Sequence, residues 1–551
     1  YLFLFKEYFP SMSESEKAAF YHKVNPVFEA YKDFAIENFQ TIPKLKEDLF
    51  NLQLTTKAML LNASAKMRNK ILNSGDEELI GLFSAWQDKK EKAIQYYSYT
   101  KEELTEQNIN LDEIENSINS MEKELSVKSN LFNAGFGSDS INWRMLKKSL
   151  GPNTGVVELV RVKKSLKNDS IIYAGLILTD TMDEPQIAVL QEGRRIEQKF
   201  FNAYQNLIKY KLMDKISYEN LWEWVDKDIP EGLDKLYVSP DGIYNKININ
   251  TLYSENLGQY LLEKENIRII TSARDLIKTE NELVPSDSIL VISNDSISVK
   301  EYPSLVLIGS PDFSLGRSSD EMNLTSESTG LMRNFSGGIP SLPGTKVEIN
   351  AIDSITKINN WRVTKYMDAE ANEILIDSLT APNILHIATH GFFKVYDADK
   401  KISGADNRGS EENPLLRSGI LLSGASIGLA GGLPYENSFE DGLLTAYETM
   451  NLNLEGTELV VLSACETGLG DVKNGEGVYG LQRAFLVAGA ENLIMSLWTV
   501  NDYTTQLLMT EFYKHWTEGD DKFTSFRKAQ MKIKEEFPQP YYWAAFTLIG
   551  E

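Results

Sequence analysis

Cys465 is the only cysteine in 551 residues, and its surroundings suit a nucleophile. It follows the apolar run Leu459-Val460-Val461-Leu462, and a glycine-rich loop from Gly468 to Gly480 comes after it. A second apolar run, Ile384 to Thr389, ends in His390-Gly391. A thiol is weakly ionised at neutral pH, so a catalytic cysteine needs an adjacent base or a cationic neighbour. Of the histidines His22, His386, His390 and His515, only His386 and His390 lie on a strand expected to share a sheet with Cys465. His390 ends its strand at the exposed rim and is the expected base. His386 sits inside the strand and reads as a satisfied core histidine. Gly391 permits close approach of a substrate carbonyl and offers an unhindered backbone N–H.

The competing reading of Cys465 is a buried structural thiol, the common fate of a free cysteine. Against it, Cys465 follows the apolar run instead of lying within it, and Glu466-Thr467-Gly468-Leu469-Gly470 is loop chemistry. The glycines do not make a phosphate loop, since no G-x-x-x-x-G-K-[ST] pattern occurs. Gly475-x-Gly477-x-x-Gly480 lacks a directly preceding strand, so no nucleotide is expected. No cofactor and no metal are expected.

The elements that must position these residues read in three parts. Residues 1–136 are helical: Ser13-Glu14-Ser15-Glu16 fits a capping box. Leu79, Phe83 and Trp86 stripe a second helix. Leu111, Ile114, Ile118, Met121 and Leu125 form a narrow coiled-coil-like seam, which fits a packed helical hairpin or a partner-binding surface. Residues 137–235 hold a linker, strands at Val156 to Val162, Ile171 to Leu178 and Ile187 to Leu190, and a long helical stretch from Arg194 to Val225. In 236–551, strands at Leu236 to Val238, Ile267 to Ile270, Ile289 to Ile292, Leu305 to Ile308, Trp361 to Val363, Ile384 to Ala388, Leu459 to Leu462 and Asn492 to Met495 alternate with helices. Continuous apolar strands separated by helices imply a doubly wound α/β sheet covered on both faces. A parallel sheet collects strand C-termini on one edge, where His390 and Cys465 can meet.

Composition narrows the partners. A net charge of -23 repels phosphate backbones, and no segregated basic patch is visible, so direct nucleic-acid binding is not expected. No apolar run approaches the roughly 20 residues needed to span a bilayer. One cysteine makes no internal disulfide, which favours a reducing, cytoplasmic setting. The chain opens on Tyr1, so its start is expected to lie upstream.

Ile384-Leu385-His386-Ile387-Ala388-Thr389-His390-Gly391, Leu459 to Gly470 and Gly475-Glu476-Gly477 resemble the CHAT domain, a caspase-like and separase-like cysteine peptidase domain. Leu236 to Gly242, Leu342 to Thr345, Ser418 to Leu422, Gly489-Ala490, Ser496 to Asp502 and Tyr541 to Phe546 extend the resemblance over about residues 150–551. It implies a caspase-like, mostly parallel sheet with a pseudo-protease half (236–345) and an active half (346–551). The helical region upstream would be the end of a tetratricopeptide-like array or an adapter to one. No clean 34-residue repeat is visible in the segment itself.

The resemblance maps catalysis onto His390 and Cys465, with backbone N–H groups of Gly391 and Cys465 as the oxyanion hole. It implies an intracellular endopeptidase with a protein substrate and a regulatory protein partner on the N-terminal helices. In bacterial relatives it implies defence systems that cleave a gasdermin-like or CRISPR-linked partner. The competitor is an inactive caspase-like scaffold. By analogy with caspase-like folds, the pocket for the residue preceding the cleaved bond draws on Ser463 and on the loop Ser496 to Asp502. Ser463-Ala464-Cys465-Glu466-Thr467-Gly468 departs from the caspase Q-A-C-x-G signature, so specificity for aspartate does not transfer. Glu466 or Asp502 could select a basic residue, as separases do; alternatively Asp502, or Asn501, caps the following helix. Trp498 either walls the pocket or fills the core. Between the two catalytic positions, the tract Asp397 to Pro414 and a second from Gly431 to Gly442 are long enough to act as an activation loop.

Overall fold

The structure, a computed structural model, describes residues 2–97, 101–131, 141–164, 170–277, 302–315, 338–394, 413–430, 432–435 and 440–551. Its centre is one sheet of eleven strands. In chain order these are β1 (Thr154–Lys163), β2 (Ile171–Thr179), β3 (Gln186–Leu190), β4 (Lys235–Ser239), β5 (Ile267–Ile269) and β6 (Ser304–Pro311). They are followed by β7 (Arg362–Asp368), β8 (Ile384–Ala388), β9 (Leu459–Ser463), β10 (Leu493–Ser496) and β11 (Phe546–Ile549). The spatial order is β3-β2-β1-β4-β5-β11-β10-β9-β8-β6-β7. Pairing is parallel except at β1–β2, β2–β3 and β10–β11. The expected strand at Ile289 to Ile292 lies outside the described residues.

Side-chain alternation explains why β8 and β9 read as unbroken apolar runs. Leu385, Ile387, Val460 and Leu462 point to one face and pack against Leu481, Ala484 and Phe485 of α7 (Leu481–Ala488). Ile384, Ala388, Leu459 and Val461 point to the other. There they meet Ile349 and Ile352 of α6 (Pro343–Ile358), Leu508 and Phe512 of α8 (Asp502–Thr517), and Phe526 of α9 (Lys522–Glu536). Both faces are covered, so every position is buried and only the strand ends reach solvent. This is the doubly wound, mostly parallel architecture that the sequence implies.

The N-terminal segment is helical as expected. In α1 (Glu14–Asn38), Ser13 accepts from the Glu16 N–H and Glu16 accepts from the Ser13 N–H, completing the capping box. The helices α4 (Glu77–Tyr97) and α5 (Leu111–Leu131) pack on each other. Ile114, Ile118, Met121 and Leu125 pack on Leu79, Phe83 and Trp86. Leu111 stands outside that cluster.

The helical stretch expected from Arg194 to Val225 is broken. A turn of π-helix spans Ile196–Phe200, and the helix Phe201–Lys209 stops where Lys211 adopts φ 57°. The Asp214 carboxylate then accepts the Ile216 and Ser217 N–H groups and starts the short helix Ser217–Leu221. Among the described residues no helix is long and apolar enough to cross a membrane.

Helices and sheet are joined by a buried ion pair. Lys57 lies between α2 (Lys44–Thr56) and α3 (Met59–Leu72), and both it and Glu158 on β1 are almost fully buried. The Lys57 ammonium donates to the Glu158 carboxylate and to the carbonyls of Leu159 and Ser239. Glu158 also accepts from the Ser239 hydroxyl and the Ala273 N–H. The next residues hold the hairpin Asp471–Lys473/Gly477–Tyr479. The Ala58 N–H donates to the Gly475 carbonyl at 2.7 Å, and the Leu60 N–H donates to the Glu476 carboxylate at 3.2 Å. Removing one partner of such a pair strands the other charge in the core. Lys57→Met is expected to cost about 3–5 kcal/mol in urea unfolding, and Lys57→Met with Glu158→Leu to recover most of it.

Candidate active site

Parallel pairing of β8 and β9 sets Ala388 opposite Ser463. His390 and Cys465 each stand two residues beyond that pair, on the same edge of the sheet. The Thr389 N–H still donates to the Ser463 carbonyl at 3.3 Å, so the strands run together to their ends. Gly391 then lies directly against the turn that carries Cys465. A Cβ at position 391 would stand 2.4 Å from the Cys465 carbonyl oxygen and 3.0 Å from the Thr467 methyl group. Only a residue without a side chain fits there.

Gly391 also begins a small antiparallel ladder, Gly391–Phe393 against Ser418–Leu421. Within it the Leu421 N–H donates to the His390 carbonyl, which makes Gly391–Ile420 a non-hydrogen-bonded pair. The Gly391 N–H therefore points out of this ladder.

The His390 ring is fixed by a backbone carbonyl. Its Nε2 lies 2.8 Å from the Pro340 oxygen, and the Phe313 ring packs beside it with centroids 5.4 Å apart. A carbonyl can only accept, so Nε2 carries the proton and Nδ1 is the basic nitrogen of the neutral ring. Burial pulls the His390 pKa below its ordinary value; the Pro340 carbonyl and the Asp502 charge partly oppose this.

Cys465 is partly exposed. Burial raises its thiol pKa, the Val500 N–H at the sulfur works the other way, and the Glu466 and Asp502 carboxylates raise it further. At this edge of the sheet the Cys465 thiol is thus held toward its protonated form and the His390 ring toward its neutral form.

The turn carrying Cys465 is locked to the end of β10. Ser496 donates from its hydroxyl to the Ala464 carbonyl at 2.6 Å and from its N–H to the Thr467 hydroxyl at 3.1 Å. The Gly468 N–H donates to the Ser496 carbonyl at 2.7 Å. Glu466, immediately after the cysteine, is held at φ 57°, a left-handed conformation that costs a non-glycine residue of order 1–3 kcal/mol. Its carboxylate accepts from the Thr499 hydroxyl at 3.2 Å.

The other expected pocket residues fall around this turn. Ser463 is buried at the end of β9, and its hydroxyl has no partner among the described residues. Asn501 caps α8, accepting from the Thr504 N–H. Asp502 is therefore not the cap: it is exposed in the first turn, and its charge reaches both His390 and Cys465. Trp498 is half-buried between two core clusters, with its indole N–H donating to the Tyr541 carbonyl at 3.3 Å. His386 is the core histidine expected, bonded at 2.8 Å to Glu348 and at 3.2 Å to Tyr513.

The sequence singled out neither Phe313 nor Pro340, and although the loop Ser496 to Asp502 and the motif Tyr541 to Phe546 were picked out, it gave Thr499, Val500 and Tyr541 no role of their own. A backbone carbonyl or N–H leaves no mark on residue type. The motif Leu342 to Thr345 was the available signal, since the segment leading into it carries Pro340. Of the activation-loop tracts, residues 395–412, 431 and 436–439 lie outside the described residues.

Because the chain has one thiol, alkylation by iodoacetamide reports Cys465 alone. The rate is expected to titrate with a midpoint above that of an ordinary cysteine thiol, and Asp502→Asn to move that midpoint down, since it removes a charge that opposes the thiolate. A midpoint below the ordinary value would mean a preformed ion pair. Gly391→Ala forces a methyl group into the Cys465 backbone and is expected to cost about 1–3 kcal/mol in urea unfolding.

Residues 215–551 match the CHAT domain family. Tetratricopeptide repeat protein 28 of Mus musculus is 36% identical over 110 residues, which is 20% of this chain and 4% of that protein. The chain thus spans only a small part of the curated relatives it matches. Among solved structures, the Arg-specific cysteine proteinase gingipain R (RgpB) of Porphyromonas gingivalis aligns with 64% of this chain and 67% of its own, at 10% identity and a TM-score of 0.30. The separase–securin complex of Saccharomyces cerevisiae aligns with 80% of this chain and 34% of its own, at 9% identity and a TM-score of 0.35. The family match takes in more than half of the chain, and the protein belongs to the CHAT domain family.

Proposed function

We propose that this protein is a regulated cysteine endopeptidase that cleaves a protein substrate with the His390–Cys465 dyad. The contact between Gly391 and the Cys465 carbonyl carries the reading, because it brings the ends of two adjacent parallel strands to one point at the rim. His390 Nδ1 takes the thiol proton as Sγ bonds to the substrate carbonyl carbon. The carbonyl oxygen becomes an oxyanion facing the Gly391 and Cys465 N–H groups. Losing one such donor typically costs about 2.7–4 kcal/mol of barrier. His390 then gives its proton to the leaving amine as the C–N bond breaks. Water, deprotonated by the same ring, hydrolyses the thioester and frees Cys465.

Ser463, Glu466, Trp498 and Asp502 form the pocket for the residue preceding the cleaved bond. Two carboxylates near a polar floor favour Lys or Arg there. The helical region, 1–136, acts as regulator and as docking surface for a partner protein. Residues 58–60 grip the hairpin that follows the nucleophile turn, which supports this role. Residues 137–235 lead into the peptidase domain, 236–551. A cytoplasmic site of action and a role in bacterial defence complete the reading, both as the family resemblance implies.

A peptide library tests it. Wild-type protein, activated by its partner where one is needed, is expected to cleave after Lys or Arg. Cys465→Ala and His390→Ala should each lower the rate by at least about 10³-fold. Asp502→Asn should reduce kcat/KM for basic peptides about tenfold while sparing alanine-containing ones. Cleavage surviving both dyad substitutions sinks the assignment, and partner binding with no cleavage by wild type favours the scaffold.

A further inference from the structure

Large apolar side chains with substantial exposure are mostly scattered singly among the described residues, but one stretch concentrates them. Tyr210 is 62% exposed, Leu212 54%, Met213 55% and Ile216 44%. The stretch is held in place: the Lys211 N–H donates to the Ile208 carbonyl at 3.0 Å, the Leu212 N–H to the Leu207 carbonyl at 2.9 Å, and Asp214 binds two further N–H groups. An ordered backbone that presents large side chains to water marks a surface for a partner.

That surface continues into the neighbourhood of Cys465. The Lys211 ammonium lies 4.5 Å from the Tyr541 ring centre and 4.9 Å from that of Tyr542. Ring contacts then run from Tyr541 to Tyr542 at 5.2 Å, to Phe537 at 5.5 Å and to Tyr503 at 6.3 Å, where Tyr503 is 59% exposed. Both ends adjoin the site. Tyr503 follows Asp502, and the Tyr541 carbonyl holds the Trp498 indole. The Tyr541 hydroxyl, its pKa raised chiefly by burial, also feels the Cys465 charge.

Resting on the peptidase reading, we propose that this ridge, from Leu212 and Met213 through Tyr541 and Tyr542 to Tyr503, binds apolar side chains of the substrate beside the cleaved bond. The occupant follows from continuity with the site. A polypeptide whose carbonyl sits at Cys465 extends about 3.3 Å per residue, so its next residues must pass over the neighbouring surface. The substrate class is then a protein segment in which a basic residue at the cleaved bond is flanked by leucine, phenylalanine or tyrosine.

The test uses paired peptides that share one Arg and differ only in flanking residues, Leu and Phe in one and Ser and Gly in the other. Wild-type kcat/KM is expected to favour the apolar peptide at least tenfold. In Leu212→Ser/Met213→Ser and in Tyr503→Ala that ratio should collapse toward one. The same fluorescein-labelled pair is titrated by anisotropy onto Cys465→Ala protein, with and without the ridge substitutions, so that the surface is read without turnover. Equal binding of the two peptides, or a preference that survives the ridge substitutions, overturns the proposal. Preferential binding lost on substitution supports it even where wild type cleaves neither peptide, and that outcome sinks the peptidase reading instead.

Discussion

The structure depends first on the register of two parallel strands. With Ala388 opposite Ser463, β8 and β9 leave the sheet together, and whatever follows each strand is delivered to one spot. Helices cover both faces, so no side chain inside these strands is available for chemistry. His386 shows the consequence: it lies inside β8, four residues before His390, and is consumed by Glu348 and Tyr513. Four residues further on, the same residue type meets the rim and a backbone carbonyl, which suits it to the proposed role of base. Position relative to the strand end decides the role.

The electrostatics of that rim oppose its chemistry at rest. Burial and two carboxylates keep the thiol protonated, while burial keeps the imidazole neutral. The carboxylates that suppress the thiolate are the ones suited to a cationic side chain. A cation placed between them would cancel their effect on the sulfur and leave the Val500 N–H to favour the charged form. On the proposed peptidase reading, recognition of a basic substrate and ionisation of Cys465 would then be one event.

Sequence made visible whatever is written in side-chain periodicity and chain punctuation. The apolar runs of β8 and β9, the capping box at Ser13, the packing of α4 on α5, and the place of His386 in the core were all legible. Four things were not, the last of them Lys57. The helix after Arg194 breaks because Lys211 takes a left-handed conformation, and nothing in a lysine announces that. Asn501 and Asp502 are both good caps by type, and only the geometry at Thr504 assigns the role to Asn501. The groups that orient His390 and face the Cys465 sulfur are main-chain atoms of Pro340 and Val500, which any residue type can supply.

Lys57 was equally silent, since a lysine after a helix reads as surface. Its burial against Glu158 bears on the protein's modularity. A sheet whose buried carboxylate is neutralised by a lysine from another segment is not a portable unit. Gene fusion or domain exchange that moved β1 without residues 57–60 would carry an uncompensated charge into the new core and lose the grip on the hairpin that follows the Cys465 turn. Helical region and sheet are therefore expected to be inherited together, and divergence between relatives to concentrate elsewhere, in the loops at the rim and in whatever the outer helices bind.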